Sequence, residues 1–479
     1  MRIAFDNSYA RLPDRFYGRQ DPVPVAEPTL IKLNVALAEE LGLDPEALAS
    51  PEGVSVLAGN ATAEGSTPIA MAYAGHQFGQ FVPQLGDGRA KLLGEVIDRS
   101  GKRRDIQLKG SGQTKFSRGA DGRAAVGPVL REYIVSEAMA ALGVPTTRAL
   151  AAVLTGEKVY REQVLPGAVL TRVASSHIRV GTFQYFAARG DVEGLRLLAD
   201  HAMARHYPHA SSYLGFLDAV VDAQARLVAQ WLLLGFVHGV MNTDNCSVAG
   251  ETIDYGPCAF MEAYDASTVF SSIDYYGRYA YGNQPKIVLW NLSRLAETLL
   301  PLIDTDQDKA LPRAEAALTQ FGPRFEAAYL GGLRAKLGMS GEQDGDDELT
   351  QDFLKLMAEF GVDFTQGFRG LVNAADGDFA VRPLFGDGSG FDAWAERWQQ
   401  RRAQGAGTDR EAMRLHNPIY IPRNHLVEAA IKAGEAGDFG PFESLVSVLQ
   451  DPFTERPGLE EYSRPADEDQ RVRVTYCGT

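Results

Sequence analysis

His238-Gly239-Val240-Met241-Asn242-Thr243-Asp244-Asn245 and, nine residues after Asn245, Asp254-Tyr255-Gly256 are the stretches of this chain that decide its fold. They come directly after residues 213–237, whose apolar spacing predicts a long buried helix. Residues 246–248 and 251–254 have the composition of two short strands joined by a turn, with Asp254 at the end of the second. The predicted order is a long helix, a loop, a short hairpin and an aspartate.

This order is that of the C-terminal lobe of a protein kinase. In the kinase signature H-R-D-x-x-x-x-N, the aspartate accepts the substrate proton and the asparagine holds a metal. His238 and Asn245 keep that spacing, and Asp254 stands where the metal-binding aspartate of D-F-G would stand. Val240 replaces the proton acceptor and cannot take a proton. Either the site performs no phosphoryl chemistry or it uses another carboxylate, for which Asp244 is the candidate; a plain turn is the alternative, since Asn, Asp and Gly are common in turns.

Charge and cysteine content exclude several classes of protein. The 479 residues carry 47 basic and 62 acidic side chains, a formal charge of −15, which disfavours nucleic-acid and membrane partners. Three cysteines without C-x-x-C spacing argue against a zinc site and against a secreted disulfide framework. The first residues form no apolar run, so we expect no signal peptide and a cytoplasmic protein.

The apolar segment 213–237 is not expected to cross a membrane. Polar side chains recur there every four residues and form one stripe along the predicted helix. They are Asp218, Asp222, Arg226 and Gln230.

The first part of the chain is rich in predicted strands. A hairpin around Ser100-Gly101-Lys102 is followed by a helix over residues 129–142, which Gly143 and Pro145 end. Further strands follow, separated by Thr155-Gly156-Glu157 and Pro166-Gly167. The predicted strands are residues 90–98, 104–109, 149–154, 158–162 and 168–173.

Helices dominate after residue 191. We predict an α+β, protein-kinase-like bilobal fold with a β-rich N-lobe, a helical C-lobe and a C-terminal helical extension. The predicted regions are residues 1–180, 181–310 and 311–479. The predicted helices, besides residues 213–237, are residues 191–206, 290–302, 313–337, 349–360, 393–402 and 425–436.

Several basic and glycine-rich positions could bind phosphate. Lys109 ends a predicted strand and Glu132 lies on the next helix, in the order of the kinase Lys–Glu pair, although a solvated surface ion pair is the alternative. Gly86-Asp87-Gly88-Arg89 is a tight turn or, alternatively, a backbone nest with a guanidinium for phosphate oxygens. Arg172 and Arg179 flank the point where strands give way to helices, and residues 119–123 have the composition of a turn.

Six longer runs stand out in order along the chain: Tyr73-Ala74-Gly75-His76-Gln77-Phe78-Gly79, Leu85-Gly86-Asp87-Gly88-Arg89, Gln107-Leu108-Lys109-Gly110-Ser111-Gly112, Arg131-Glu132-Tyr133, residues 238–245 and Asp254-Tyr255-Gly256-Pro257. They resemble the selenoprotein O family, and the resemblance covers nearly the whole chain. It implies a protein-kinase-like fold and the transfer of AMP from ATP to hydroxyl side chains of proteins, with ATP bound in an orientation reversed relative to kinases.

The resemblance also implies roles for individual residues. Asp244 would be the catalytic base, Asn245 and Asp254 the ligands of Mg²⁺ or Mn²⁺, and Lys109 a phosphate contact paired with Glu132. ATP and protein substrates would be the partners. The other residues of the implied nucleotide site are Gly86, Gly88, Arg89, Asp121, Gly122, Arg172 and Arg179, together with Asp254.

Cys477 falls at the near-terminal selenocysteine or cysteine position of the family. In some relatives this residue pairs with a cysteine in the loop after D-Y-G, but residues 264–274 contain none. Cys258 is closer to Asp254. A redox switch and a free terminal thiol therefore both stay open.

Three hypotheses of different classes remain. The first is a metal-dependent protein adenylyltransferase that modifies Ser, Thr or Tyr and releases pyrophosphate. The second is another transfer, of the γ-phosphoryl group of ATP or of UMP from UTP, and Val240 counts against phosphoryl transfer only. The third is a non-catalytic, nucleotide-binding pseudokinase scaffold, which has less need of both Asn245 and Asp254.

Overall fold

The computed structural model describes residues 1–404 and 410–476, and it confirms the predicted α+β class. The strands are β1 (Tyr17–Arg19), β2 (Thr29–Leu33), β3 (Ile69–Met71), β4 (Gly75–Gln77), β5 (Gln80–Val82), β6 (Ala90–Ile97), β7 (Arg103–Lys109), β8 (Ala124–Ala125), β9 (Arg148–Tyr160), β10 (Val164–Ala174), β11 (Phe236–Val237) and β12 (Ala259–Phe260). The helices are α1 (Val35–Glu40), α2 (Pro45–Ala49), α3 (Pro51–Ala58), α4 (Val126–Ala141), α5 (Val180–Ala187), α6 (Val192–His206), α7 (Tyr213–Leu233), α8 (Gln284–Ile303), α9 (Gln307–Thr319), α10 (Phe321–Lys336), α11 (Asp346–Phe360), α12 (Phe364–Ala374), α13 (Ser389–Ala403), α14 (Arg410–Arg414), α15 (Asn424–Glu435) and α16 (Gly440–Leu449).

An antiparallel sheet is the main structural element of the first 174 residues. Its strands lie in the order β1-β3-β6-β7-β10-β9-β2, and β8 pairs with the start of β10. The predicted hairpin is confirmed as β6 and β7, which places Lys109 at the end of a central strand. Helix α4, predicted at residues 129–142, begins at Val126 and packs on β9 and β10 through Leu130 and Ile134. The helix thus faces the strand that carries Arg172.

The predicted break at Thr155-Gly156-Glu157 is wrong. Residues 149–154 and 158–160 belong to one strand, β9, which runs through Gly156, whereas residues 161 and 162, also predicted as strand, lie in the following turn. Gly156 has φ +69°, and a Cβ there would lie 2.6 Å from the Cβ of Glu27, so its packing requires a glycine inside the strand. The predicted break at Pro166-Gly167 is wrong as well. The turn to β10 lies at residues 161–163, and β10 runs through Pro166 and Gly167 with a register shift between Pro166 and Ala168.

The predicted short hairpin over residues 246–254 is also wrong. The turn forms, with Gly250 N donating to Ser247 O at 3.2 Å, but the two arms pair with other parts of the chain. Ser247 forms a bridge with Arg179, and Thr252 forms one with Thr146. Tertiary pairing therefore replaces the local hairpin.

Helix α7 lies at the centre of the helical part and packs against α8, α9 and α10. Asp218, Asp222, Arg226 and Gln230 lie on its solvent-facing side, as predicted. The predicted helix over residues 313–337 is two helices, α9 and α10, which meet at Gln320. Within the described ranges, no helix is both long and apolar enough to span a membrane.

The C-terminal helices α15 and α16 return to the first part of the chain and pack on α4. Ile431 and Phe442 share a buried cluster with Leu130 and Tyr133. Helix α4, and with it Glu132, is therefore held between the sheet and the last helices.

Candidate nucleotide site

A cleft of about 590 Å³ lies between the sheet and the loop at residues 238–245. The sequence-predicted site residues line it, except Glu132, which lies behind Lys109. Their proximity follows from the fold, whereas their roles stay predictions. The predicted residues in the lining are Gly86, Gly88, Arg89, Lys109, Asp121, Gly122, Arg172, Arg179, Asp244, Asn245 and Asp254.

Three cations surround the Asp254 carboxylate. Lys109 Nζ lies 3.1 Å and Arg172 Nη1 2.6 Å from Oδ1, and Arg179 Nη1 lies 2.9 Å from Oδ2. Burial alone would raise the pKa of Asp254, but Arg172, Lys109 and Arg179 hold that pKa well below its ordinary value. Asp254 adopts φ +64°, a strained conformation for a residue other than glycine. The carboxylate is therefore an anion fixed in place by its partners.

Glu132 provides the second negative charge of this cluster. It accepts from Lys109 Nζ at 2.6 Å and from Arg172 Nη1 at 3.2 Å. Arg172 is almost fully buried, and its guanidinium also donates to Gln107 Oε1 at 2.6 and 3.2 Å. Gln107 lies two residues before Lys109, so both side chains project from the same face of β7. Because alternate residues of a strand share a face, the position of Lys109 could have identified Gln107 as a further residue of the site.

Asp244 lies in the opposite electrostatic environment. It sits in a short 3₁₀ turn, Thr243–Asn245, and is 8 % exposed. Arg179 Nη1 donates to its backbone oxygen at 2.8 Å, while its Oδ1 has no hydrogen-bond partner within the described residues. Burial raises the pKa of Asp244 to about 6, and Arg179 only partly opposes this. A buried carboxyl group with a raised pKa and an unused oxygen has the properties of a general base.

Two glycines make room for Asp244. A Cβ on Gly75 would lie 2.5 Å from Oδ1 of Asp244, closer than any real contact allows. A Cβ on Gly181 would lie 2.1 Å from the backbone oxygen of Ala74 and 3.3 Å from the Cα of Asp244. The loop, the segment before β5 and the start of α5 therefore approach one another at van der Waals distance.

The segment Tyr73–Gly79 holds the loop through hydrogen bonds. His76 N donates to Thr243 Oγ1 at 2.7 Å, and Phe78 N donates to Asn242 Oδ1 at 3.0 Å. The Gln77 side chain hydrogen-bonds the carboxyl group of Asp244. In the sequence, this segment is recognisable only as one of the runs that resemble a known family. Contacts between residues far apart in the chain leave no periodic pattern, so the hydrogen bonds to the loop could not be predicted.

Gln184 on α5 links the same segment to the loop. Its Nε2 lies 2.8 Å from His76 Nδ1, and its Oε1 accepts from Thr243 Oγ1 at 2.6 Å. Tyr279 OH donates to Asn242 Oδ1 at 2.7 Å from the opposite side. The loop is therefore held by hydrogen bonds from three separate parts of the chain.

Asp87, expected from the sequence only as part of a turn, is a buried carboxylate. It accepts from Met71 N at 3.1 Å and from Gln107 Nε2 at 3.2 Å, and Arg179 Nη2 lies 3.8 Å away. Burial raises its pKa, and Arg179 opposes the rise. Asp87 thus helps to position Arg179, whose guanidinium also stacks 4.5 Å from the ring centre of Tyr73.

The outer wall of the cleft is formed by glycine turns and arginines. Gly86 has φ +75°, and a Cβ there would lie 2.3 Å from the ring of Phe116. Gly122 has φ +69°, and a Cβ there would lie 2.3 Å from the backbone of Gly112. Asp121 accepts from both terminal nitrogens of Arg161, at 2.8 and 2.9 Å. Asp121 therefore positions Arg161, an arginine absent from the sequence-based site.

Oxygen atoms of the kind that a hard divalent cation prefers lie at the base of the cleft, although the described residues contain no group of three or more His, Cys, Asp or Glu side chains that could hold a metal ion. Asn245 Nδ2 donates to Val240 O at 3.0 Å, so its amide oxygen is the atom that can ligate. Asp254 supplies a carboxylate, and Asp244 Oδ1 is a buried oxygen without a hydrogen bond in the described structure. Oxygen ligands of this type suit Mg²⁺ and Mn²⁺.

A family model, Protein adenylyltransferase SelO, matches residues 1–450. The chain belongs to the SelO family. Protein nucleotidyltransferase YdiU of Rhodopseudomonas palustris (strain BisB5) is 63 % identical, with all of both chains covered. The protein of the same name from Methylorubrum populi is 62 % identical over 99 % of each chain, and that from Nitrobacter winogradskyi is 61 % identical over 100 % of this chain and 96 % of its own. This confirms the predicted family and the predicted enzyme class, a nucleotidyltransferase.

Cys477, which the resemblance places at a near-terminal selenocysteine or cysteine position, lies outside the described residues. Cys246 and Cys258 are both buried. Burial raises the pKa of the Cys246 thiol to about 12, so this group is an unreactive thiol at neutral pH. The expected alternatives for Cys477 stay predictions.

Proposed function

We propose that this protein is an adenylyltransferase that transfers AMP from ATP to Ser, Thr or Tyr hydroxyls of other proteins. The observation that carries the proposal is the position of Asp244: a buried carboxyl group with a pKa raised to about 6 lines the cleft beside Val240. The position that bears the kinase base thus holds an aliphatic side chain, and another carboxylate lies nearby.

The proposed reaction is an exchange at the α-phosphorus. The acceptor hydroxyl oxygen forms a new P–O bond, the bond from the α-phosphorus to its bridging oxygen breaks, and pyrophosphate leaves with that electron pair. Asp244 takes the hydroxyl proton. Lys109, Arg172 and Arg179 supply positive charge to the phosphates, which is the main requirement of a transition state that gains negative charge on the leaving group.

Asn245 and Asp254 are the proposed ligands of Mg²⁺ or Mn²⁺. The ion, when bound, would neutralise phosphate charge as a Lewis acid. Asp254 also orients Lys109, Arg172 and Arg179, since each contacts its carboxylate. Gly86, Gly88, Arg89, Asp121 and Gly122 would complete the phosphate and nucleotide contacts as a backbone nest with arginines.

The remaining features belong to the same proposal. We propose a kinase-like bilobal arrangement in which residues 1–180 form an extended N-lobe, residues 181–310 the C-lobe and residues 311–479 a helical extension. The supporting geometry is the Lys109–Glu132 ion pair between a central strand and α4. ATP and protein substrates are the proposed partners, without nucleic acid or membrane, in the cytoplasm.

The decisive test uses ATP labelled at the α or the γ position, with Mg²⁺ or Mn²⁺ present. We expect α-label to enter protein and γ-label to remain in released pyrophosphate. Incorporation of γ-label alone would overturn the proposal in favour of a kinase. A preference for α-labelled UTP over ATP would replace adenylylation by uridylylation, and no incorporation of any label would support a scaffold.

A further inference from the structure

A second groove adjoins the nucleotide cleft. It has a volume of about 530 Å³ and shares Phe78 and Ile273 with the cleft as a common wall. Phe78 N is hydrogen-bonded to Asn242, two residues before Asp244. A chain lying in this groove would therefore enter the cleft beside the proposed base.

Exposed aromatic side chains border this groove. Tyr275 is 84 % and Tyr276 98 % exposed, and Ile273 is 47 % exposed. They follow one another in a loop that Asp274 holds, because its carboxylate accepts from Arg278 N at 2.9 Å and Tyr279 N at 2.7 Å. Tyrosine is enriched at binding interfaces relative to the rest of a protein surface, so two adjacent tyrosines that are almost fully exposed on an ordered loop indicate a binding surface.

Two cationic side chains and one carboxylate line the groove, although the chain as a whole carries a formal charge of −15. Arg278 and Lys286 line it, and neither has an ion-pair partner within residues 1–404 and 410–476, whereas the nearby Arg294 is paired with Glu297 at 2.6 Å. Arg278 lies over Trp290, 4.9 Å from the ring centre, and its buried Nε has no hydrogen-bond partner in the same residues. The carboxylate of Asp274 accepts hydrogen bonds from the backbone N–H groups of Arg278 and Tyr279.

We propose that this groove, lined by Phe78, Ile273, Tyr275, Tyr276, Arg278 and Lys286, binds the acceptor segment of the protein substrate. The segment is extended, and it carries an acidic side chain and an apolar side chain next to the modified hydroxyl. The apolar side chain packs on Tyr275 and Tyr276, and the acidic one pairs with Lys286 and Arg278. This inference rests on the proposed function and adds the sequence preference of the acceptor.

Binding of matched peptides tests the groove without requiring catalysis. The probes are two fluorescent 12-residue peptides with one Ser, one Thr and one Tyr, flanked by Phe and by either Glu or Lys. We expect the Glu peptide to bind the full chain about fivefold more tightly than the Lys peptide, with a smaller difference at high salt. Equal binding of the two peptides would overturn the inference.

Two variants assign the preference to this groove. Lys286→Glu should remove or invert the preference for the Glu peptide. The double change Tyr275→Ala/Tyr276→Ala should weaken the binding of both peptides about tenfold. Mg²⁺–ATP affinity should stay at the wild-type value in both. Lys309→Glu and Leu311→Ala, exposed positions on α9, are the matched controls and should bind both peptides as the wild type does.

The outcomes separate this inference from the proposed function. If peptide binding depends on Lys286 but no α-label is incorporated, the result supports the proposed groove and rejects adenylylation. If α-label is incorporated but Lys286→Glu does not change the peptide preference, the result supports adenylylation and rejects the proposed groove. Loss of ATP affinity in the tyrosine variant would assign these residues to the nucleotide site, and a change of oligomeric state in that variant would assign them to an interface between copies; either result overturns the inference.

Discussion

Asp244 and Asp254 lie in one cleft, ten residues apart in sequence, in opposite environments. Asp254 contacts three cations, and its pKa is held well below the ordinary value. Asp244 contacts cationic Arg179 only through its backbone oxygen, keeps one buried oxygen without a hydrogen bond in the described structure, and has its pKa raised to about 6. Environments that move two carboxyl pKa values apart separate their roles: one remains a fixed anion and the other can exchange a proton.

The largest effect is expected from removing the fixed anion. Asp254→Ala should abolish Mg²⁺–ATP binding and turnover, because a metal ligand and the group that orients Lys109, Arg172 and Arg179 are lost together. It should also destabilise the protein by roughly 3 kcal/mol, since buried guanidiniums lose their counter-charge. Calorimetry with ATP and denaturant unfolding measure both effects.

The control for that change is Asp222→Ala, which removes a carboxylate paired with Arg226 on the solvent-facing side of α7. It should leave both nucleotide binding and stability within about 0.5 kcal/mol of the wild type. Wild-type activity in Asp254→Ala would contradict the assignment of Asp254 as a metal ligand.

The second effect concerns the proton acceptor. Asp244→Asn preserves the size of the side chain and removes its basicity, so Mg²⁺–ATP affinity should stay nearly normal while α-label transfer falls about 10²- to 10⁴-fold. Stability should not fall, because the neutral amide relieves the burial of a charge. Unchanged transfer would leave Asp244 with a role in shaping the turn, and loss of ATP binding would make it a metal ligand.

The third effect tests whether Asp244 depends on its exact position. Gly75→Ala places a Cβ 2.5 Å from Asp244 Oδ1 and should displace the carboxylate, lowering transfer about 10- to 100-fold at nearly unchanged ATP affinity. Gly322→Ala on α10, where a Cβ meets nothing within 4 Å, is the control. If both variants transfer label equally well, the close approach of Gly75 is not required for catalysis.

The contrast between the two aspartates was only partly predictable from the sequence. The Lys109–Glu132 pair could be predicted because a strand that ends at the lysine is followed by a helix that carries the glutamate, which is the order of the kinase Lys–Glu pair. The partners of Asp244 do not, because His76, Gln77 and Gly75 lie more than 160 residues away in the chain. The same reason explains the wrong break at Gly156: contact with Glu27 overrides a local turn signal.

The last prediction tests whether burial alone can shift a pKa in this protein; for Asp244, burial is the largest of several causes. Lys336 on α10 is 3 % exposed, donates to His416 O at 3.1 Å and lies 4.6 Å from the ring centre of Phe368, and burial lowers its pKa to about 7. Below pH 7 the ammonium is charged in both the folded and the unfolded chain, and the folded state bears the full cost of burying it. Between pH 7 and the ordinary lysine pKa, the folded chain is neutral at this position while the unfolded chain still binds the proton. The stability of the wild type relative to Lys336→Met should therefore rise with pH in this range, by up to about 1.4 kcal/mol per pH unit.

Subtracting the two free energies of unfolding at each pH from 6.5 to 9.5 cancels the contributions of the other titrating groups, since both proteins share them. A difference that stays constant over this range would show that Lys336 remains charged when folded, and that packing against Phe368 and the carbonyl of His416 compensates for its burial.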